Sequence, residues 1–466
     1  MNSRFILTVF LPRFFLSAVA ICGISSRTVG QDSAEKRDTT PSASVMDPTS
    51  IPVDSSTLGN ADAAAVGDGH QHEEPVDADS VMEEFKALAT PEQLEQGLAL
   101  LKEFETHASE FQKKIIQMRR EHTLYINKMS DSKEPYWNRR NEARDLMNQT
   151  YRDALNLIEV VPHPHALRFV VTVLEQRYNH DVYDAETYEG AAKLLDYKVR
   201  LRYVALLAAR SAMSVGDFDL AERIYDSLQP DELEDADRGL IALAEEIQRQ
   251  FEIEEKLRQS QAEDLPKVRF LTSRGEFTVE LYIDSAPSTV SHFISLVESG
   301  FYDGLDFFQV IDGLFAMTGD PLGDGSSRPD RYLADEHGRP GSRMPVSGSL
   351  VMAKLPIPNT REFVPNSAGT QFAIMYYPFP LISEQRTVFG RVIDGLDVVG
   401  SLRRVDPTKK KEKNAIVAPP DRILKCEMLN RPEKLPEVNY AAPMGPAPQQ
   451  RSAAPGLPGV PDAAGR

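Results

Sequence analysis

The chain has 466 residues, of which 41% are hydrophobic and 26% charged. This length is too great for one ordinary core, so we expect two folded units with tails. Its formal net charge of −18 leaves no basic surface that could displace counterions from phosphates, which argues against a nucleic-acid partner. The cysteines are Cys22 and Cys426. Removal of the N-terminus would leave one thiol, so no internal disulfide is expected.

Residues 1–30 predict an export signal. Arg4 and Arg13 precede an apolar run over Phe14–Ile24, which is shorter than the roughly 20 residues that span a bilayer. The small residues of Thr28–Gly30 are typical of a processing site. We therefore expect an exported protein, periplasmic or extracellular. A membrane anchor remains open if the signal is not cleaved, as does a lipid on Cys22.

Residues 31–80 predict a disordered acidic leader, because Ser, Thr, Pro, Ala and Asp cannot bury enough apolar surface to offset chain entropy. His70 and His72, followed by Glu73 and Glu74, resemble a small metal cluster. Nothing nearby would hold such ligands in a fixed geometry, so no metal is expected.

Residues 81–262 predict an all-α region. Apolar residues first repeat with helical spacing from Val81, and Thr90-Pro91-Glu92-Gln93 then predicts a new helix that begins with a capping box. Further helical stretches are predicted at Ala108–Met129, Trp137–Val160, Ala166–Gln176, Ala185–Met213, Phe218–Leu228 and Leu233–Arg258.

Within this region, Ala208–Leu228 resembles the middle of a tetratricopeptide repeat. Ala212 and Ala221 are small enough to let two helices approach, and Gly216 supplies the turn between them. The pattern favours either a short, degenerate helical-repeat module or a plain helical bundle. It could present a docking groove for a protein partner, or act only as a spacer.

From Lys267 the apolar period changes from helical spacing to two, which indicates strands. A turn over Ser273–Glu276 joins two of them into a hairpin, and a helix then starts at Ser285-Ala286-Pro287 and stops at Gly300. Short strands separated by Gly- and Pro-rich loops continue to about residue 429, as expected of a barrel. Residues 430–466 predict a disordered Pro/Ala/Gly tail.

Seven sequence blocks within residues 265–429 resemble the cyclophilin-type peptidyl-prolyl isomerases. They are Ser285–Val290, Gly300–Leu305, Phe307–Gly313, Gly319–Pro321, Gly348–Ala353, Asn366–Phe372 and Val388–Val392. The resemblance implies an α+β multidomain protein, in which an all-α bundle or repeat-like module precedes a closed antiparallel β-barrel with flanking helices.

The family's reaction is rotation about an X-Pro amide, whose barrier of roughly 18–20 kcal/mol comes from resonance in the C–N bond. The resemblance implies an apolar pocket for the proline ring and an arginine that hydrogen-bonds the substrate backbone. No covalent step is needed, so no cofactor is expected.

The position of the family's arginine holds Gln309 in this chain. With Gln309, the resemblance assigns catalytic roles to Gln371 and to Arg386, which stands at the family's histidine position. It assigns substrate binding to Leu314, Phe315, Met317, Ala353, Lys354, Ala373, Leu381 and Ile382. Of these, Lys354 replaces the family's asparagine and Ala373 its pocket phenylalanine.

Two functional interpretations follow. In the first, the protein is a peptidyl-prolyl isomerase of altered or reduced activity that assists the folding of exported proteins, with Arg386, or less readily Lys354, adding positive charge. In the second, the pocket is a non-catalytic surface for proline-containing peptides or proteins, and the helical region adds a docking site.

Overall fold

The computed structural model describes residues 90–262, 264–357, 360, 362–378, 385–406 and 419–442. The predicted export signal, the leader and the helical spacing from Val81 lie outside these residues. Within the described part of the chain, no helix is both long and apolar enough to cross a membrane.

The helical region runs from residue 91 to residue 260. Its helices are α1 (Pro91–Ile126), α2 (Glu134–Val160), α3 (Pro164–Asn179), α4 (Ala185–Asp196), α5 (Arg202–Val215), α6 (Phe218–Ser227), α7 (Asp235–Ala242) and α8 (Ala244–Ser260). Neighbouring helices pack pairwise, α1 on α2, α4 on α5 and α5 on α6. They bury apolar residues of each helix in a shared core.

The start of α1 confirms the predicted capping box. Thr90 Oγ1 accepts the Gln93 N–H at 3.2 Å, and Gln93 Oε1 accepts the Thr90 N–H at 2.9 Å. Helix boundaries further along were partly wrong. The predicted stretch Ala185–Met213 is two helices, because the chain turns at Lys198 with φ at +58°. Leu233–Arg258 likewise divides at Leu243, whose φ of −113° leaves the helical range.

Gly216 makes the predicted turn between α5 and α6, with φ at +92°. A Cβ at this position would lie 2.3 Å from Cε1 of Phe251, so the site requires glycine both for its backbone and for space. Ala212 and Ala221 are both buried on the facing helices. One turn of this kind suits a repeat and a bundle equally, and the repeat-like module stays a prediction.

Eight strands and two helices make up the described part of the sheet region. They are β1 (Lys267–Thr272), β2 (Glu276–Leu281), α9 (Pro287–Glu298), β3 (Gln309–Ile311), β4 (Phe315–Thr318), β5 (Ser349–Met352), β6 (Phe372–Met375), β7 (Val388–Asp394), α10 (Leu396–Gly400) and β8 (Ile423–Asn430). All described strand pairs are antiparallel, in the order β3-β4-β6-β5-β7-β2-β1-β8. The hairpin β1–β2 confirms the predicted turn.

The described ladder is open, with β3 and β8 as its end strands. The segments just before these strands meet through a bridge between Asp306 and Arg422, and the Phe307 N–H donates to the Asp421 carbonyl at 2.8 Å. These contacts bring the edges together without continuing the ladder. The fully closed barrel is therefore not confirmed.

The prediction of a disordered tail is wrong for the segment that follows β8. Tyr440 forms a bridge with Leu333, and the Ala441 N–H donates to the Tyr332 carbonyl at 2.8 Å. The guanidinium of Arg331 lies 3.6 Å from the centre of the Tyr440 ring. One aromatic anchor thus holds a stretch whose composition alone suggested disorder.

The helical and sheet regions are joined by buried polar contacts. Arg140 of α2 donates to the Ser273 carbonyl in the β1–β2 turn at 2.8 Å. Glu254 of α8 pairs with Arg343 at 3.0 Å, and both side chains are almost fully buried. A buried ion pair restricts how the two regions can sit, because separating its members would strand a charge.

Candidate functional site

The strand register brings several predicted site residues into one row on the sheet. Gln309 of β3 pairs with Met317 of β4, Met317 with Ala373 of β6, and Ala373 with Val351 of β5. Residues directly opposite each other across a ladder point to the same face. Gln309, Met317 and Ala373 therefore share a face, as the resemblance implied.

This face is opposite to the main core, and we call it the outer face. Phe372 and Ile374 flank Ala373 in β6 and belong to the main core. A smaller apolar cluster on the outer face contains Leu265, Tyr282, Val351, Ala373, Met375 and Val388. Phe315 and Met317 pack against it and are only partly buried, so they form the part of the cluster that a ligand can reach.

Leu314 lies at the turn of the β3–β4 hairpin, not within the apolar cluster. Its side chain is 39% exposed. Its carbonyl accepts the Tyr376 N–H at 2.9 Å, which ties the turn to the chain just after β6. Leu314 therefore borders the outer face rather than forming its floor.

Gln309 is partly buried at the start of β3. Its side-chain amide has no hydrogen-bond partner among the described residues, so it can still donate to or accept from a ligand. The next residue, Val310, exchanges two backbone hydrogen bonds of 2.9 Å with Val405. These bonds fix the backbone that carries Gln309.

Gln371 supports a neighbouring loop with its amide nitrogen. Nε2 donates to Asp320 Oδ1 at 3.3 Å and lies 3.4 Å from the Ser327 carbonyl. Asp320 is buried and accepts the backbone N–H of Gly325 at 2.7 Å. Burial opposes ionisation of Asp320, but the Ser327 hydroxyl and the backbone donors lower its pKa overall. The Gln371 side chain is therefore fixed in orientation, with Oε1 left as its acceptor.

The segment that contains Arg386 lies beside Gln371 and Ala353. The Ala353 N–H donates to the Gln371 carbonyl at 2.9 Å, and the neighbouring Met352 N–H donates to the Thr387 carbonyl at 3.0 Å. Two residues beyond Arg386, Val388 belongs to the outer-face cluster. Arg386 itself lies in a bend before β7, close along the chain to this cluster.

The guanidinium of Arg386 lies 4.0 Å from the centre of the Phe363 ring. Its Nε is buried and has no hydrogen-bond partner among the described residues. Burial lowers the pKa of Arg386 to about 10, because desolvation penalises the charged form. A cation that meets no acidic side chain among the described residues favours a ligand that offers carbonyl oxygens.

Lys354 does not supply positive charge to this site, which corrects one of the predictions. Its Nζ lies 2.7 Å from Asp335 Oδ2 and 3.0 Å from the Gln385 carbonyl, and the side chain is 3% exposed. The charge is neutralised where it is buried, so Lys354 joins two loops instead of contacting a ligand.

Leu381 and Ile382, the two remaining predicted pocket residues, lie outside the described residues. Phe363, Val351 and Val388 take part in the outer face and were not predicted. Val351 and Val388 could have been found from strand alternation. Phe363 lies in the loop between β5 and β6, and no local signal connects it with Arg386.

Comparisons with known proteins identify relatives of the sheet region. The family model described as "Cyclophilin type peptidyl-prolyl cis-trans isomerase/CLD" matches residues 267–428. The chain is 38% identical over 131 residues to a peptidyl-prolyl cis-trans isomerase-like 1 of Rhizopus delemar, which is 28% of this chain and 74% of the relative. The protein of the same name from Neurospora crassa is 34% identical over 146 residues, 31% of this chain and 84% of the relative.

Among solved structures, a cyclophilin-type peptidyl-prolyl cis-trans isomerase of Cryptosporidium parvum is 26% identical, with a TM-score of 0.30. The match covers 36% of this chain and 99% of that protein. A second structure of it, in the presence of the dipeptide Ala-Pro, has a TM-score of 0.29, 26% identity and coverage of 35% and 99%.

Proposed function

The chain belongs to the cyclophilin-type peptidyl-prolyl cis-trans isomerase family, and we propose that its outer face catalyses rotation about X-Pro bonds in exported proteins, at a reduced rate. The observation that carries this proposal is that Gln309, Met317 and Ala373 lie in one row across the sheet. Backbone hydrogen bonds of the neighbouring segments place Gln371 and Arg386 beside this row. An apolar surface and polar groups are adjacent there.

In this proposal, the proline ring packs on Phe315 and Met317, which are partly buried and pack against the apolar cluster. Rotation removes the resonance of the amide, so its nitrogen regains a lone pair and its carbonyl oxygen changes direction. The Gln309 amide N–H donates to the twisted amide, and Arg386 binds a neighbouring carbonyl. Both effects stabilise the twisted state more than the planar one, which is the requirement for catalysis.

The reduced rate follows from Gln309. A neutral amide makes a hydrogen bond of about 0.5–1.5 kcal/mol, whereas bonds to charged groups contribute about 1.5–3 kcal/mol. The difference corresponds to a loss of roughly tenfold in rate. Arg386 offsets part of this loss by keeping a cation near the substrate backbone.

The test is exchange spectroscopy on a proline-containing peptide with wild type, Gln309→Arg and Gln309→Leu. We expect wild type to accelerate exchange, Gln309→Arg to raise the rate about tenfold, and Gln309→Leu to lower it because the donor is lost. Thermal unfolding of all three is the control for folding. A wild type that leaves exchange at the uncatalysed rate refutes the isomerase.

A second candidate function is proline-peptide binding without catalysis. It is favoured by the combination of an intact apolar cluster with a neutral residue at position 309. If wild type is inert, a peptide titration followed by NMR should then show binding that Phe315→Ser weakens. Phe301→Ser is the matched control, because Phe301 packs against the main core instead.

The exported setting of this function is a separate part of the proposal and rests on residues 1–30. X-Pro isomerisation takes tens to hundreds of seconds, so newly exported chains would benefit from a catalyst. Cell fractionation of the full-length chain, beside one with Phe14–Ile24 made polar, tests it. Equal retention of both inside the cell would contradict export.

A further inference from the structure

The loop between α3 and α4 contacts the hairpin that carries much of the proposed site. Asp181 in this loop is 8% exposed. Its Oδ2 accepts the Gly313 N–H at 2.9 Å and pairs with Arg404 Nη2 at 2.7 Å. Gly313 forms the turn between β3 and β4 with φ at +64°. A side chain of the helical region thus caps the turn between Gln309 and Phe315.

Arg404 extends this contact along the hairpin. Its Nε donates to Asp312 Oδ1 at 2.7 Å, beside Gly313. The next residue, Val405, exchanges backbone hydrogen bonds of 2.9 Å with Val310 in β3. Asp181 and Arg404 therefore restrain both the β3–β4 turn and the edge of β3 that does not pair with β4.

Tyr183, two residues after Asp181, makes a second contact with the site. Its ring stacks on Tyr377, with ring centres 4.6 Å apart, and the Tyr377 hydroxyl donates to the Tyr183 hydroxyl at 2.6 Å. Tyr377 follows β6, which carries Ala373 and Met375. The Tyr183 hydroxyl in turn donates to Asp181 Oδ1 at 2.9 Å. One short loop thus contacts both chain segments that frame the outer face.

The backbone around the loop is shaped for this close approach. Asp181 has φ at +55°, a conformation uncommon for residues other than glycine, asparagine and aspartate. On the sheet side, a Cβ at Gly400 would lie 2.2 Å from the His180 carbonyl oxygen. Strained backbone persists where the surroundings hold it, and here they hold Asp181 against Gly313.

We propose that Asp181 and Tyr183 are positioning residues for the isomerase site, so that the helical region sets the geometry of the outer face. This inference rests on the proposed function. The helical region therefore takes part in the reaction as a rigid support for Gln309, Phe315 and the segment after β6. Small displacements of positioned groups lower rates strongly, which makes the support measurable.

Asp181→Asn is the informative substitution. Asparagine tolerates positive φ and matches aspartate in size, so the loop conformation is retained while the charge that binds Gly313 and Arg404 is lost. Arg144→Gln is the matched control, because Arg144 joins the same two regions away from the outer face. Its Nη1 donates to the Glu276 carbonyl at 2.9 Å.

Two readouts separate positioning from simple stabilisation. Hydrogen exchange of the peptide spanning 312–315 should quicken about threefold or more in Asp181→Asn and stay at the wild-type rate in Arg144→Gln. In the isomerase assay, kcat should fall about three- to tenfold in Asp181→Asn, with KM within twofold of wild type. Tyr183→Phe, which removes only the hydroxyl, should show a smaller fall.

Exchange at residues 312–315 that is the same in Asp181→Asn and in wild type would overturn the proposal. So would a fall in kcat no larger than that of Arg144→Gln. A wild type without isomerase activity would refute the proposed function instead. The exchange experiment and the affinity for a proline-containing peptide would then decide the positioning role, since neither needs turnover.

Discussion

Arg210 in the helical region and Arg386 in the sheet region are both withdrawn from solvent, yet their surroundings differ. The Nε of Arg210 lies 2.7 Å from Asp237 Oδ1, and its Nη2 lies 2.7 Å from Glu234 Oε2. Arg386 has an aromatic ring beside it and no acidic partner among the described residues. The helical region compensates its buried charge, and the outer face does not.

The pKa shifts of Arg210 and Arg386 have opposite signs because only Arg210 has acidic partners among the described residues. Burial opposes the charge of Arg210, but the hydrogen bond to Asp237, followed by the electrostatic effects of Tyr377 and Tyr183, raises its pKa overall. At Arg386 burial acts alone and lowers the pKa to about 10. A compensated charge supports the fold, whereas an uncompensated one costs stability and marks a candidate site for function. The contrast separates the structural from the functional arginine.

The largest expected effect comes from Asp237→Ala. Asp237 is fully buried, and its removal breaks the buried pair with Arg210, which keeps Glu234 as an acidic partner. We expect a loss of about 3–5 kcal/mol in the free energy of unfolding, measured with urea. Asp235→Ala in the same helix is the control. Asp235 is exposed and pairs with Arg238 at the surface, so its loss should cost under about 0.5 kcal/mol. Equal effects would contradict the compensated network.

His180, at the junction of the two regions, shows a third way to accommodate a buried ionisable side chain, because it stays neutral. Burial, followed by the charges of Arg404, Arg274 and Arg140, lowers its pKa to about 4. Between pH 6.5, where the unfolded histidine titrates, and pH 4, the unfolded state binds more protons than the folded state does. Stability is therefore lost as the pH falls through this window, by up to about 3 kcal/mol.

The measurement is urea unfolding of wild type and His180→Asn at pH 7 and pH 4.5. Wild type should lose more stability than the variant on acidification. His165→Asn, at an exposed position, is the control and should behave as wild type. If His180→Asn shows the same acid dependence as wild type, the junction does not hold a neutral histidine.

Arg386→Met should have the smallest effect on stability. It removes a partly buried cation that has no acidic partner in the described part of the chain, so the free energy of unfolding should stay unchanged or rise by about 1 kcal/mol. Isomerisation of a proline-containing peptide should nevertheless fall several-fold. Arg210→Met is the matched control and should cost about 3 kcal/mol, because Asp237 then loses its partner. A large loss of stability in Arg386→Met would remove the contrast on which this interpretation depends.

Short-range features were predictable from the sequence. The capping box at Thr90, the β1–β2 hairpin and the turn at Gly216 each depend on a few neighbouring residues. The resemblance assigned Gln309, Met317 and Ala373 to one site, and the strand register in the structure places them on one face. The break at Lys198 was missed, since apolar helical spacing continues across it.

The roles of the charged residues depended on the tertiary structure. From the sequence, Arg386 and, less readily, Lys354 were both expected to bring positive charge to the pocket. Asp335, nineteen residues before Lys354, neutralises that lysine, whereas Phe363 stacks on Arg386 without neutralising it. Which partner a charge meets depends on how distant segments pack, and sequence spacing carries no record of it.

The amino-acid sequence by itself determined the family and the order of the two regions, because short motifs and local periodicity encode these. The tertiary structure alone decided that Arg386 has no acidic partner among the described residues, and that Asp181 reaches Gly313 across 132 residues of chain. Electrostatic free energy depends on distance in space and on burial, and both exist only after the chain has folded.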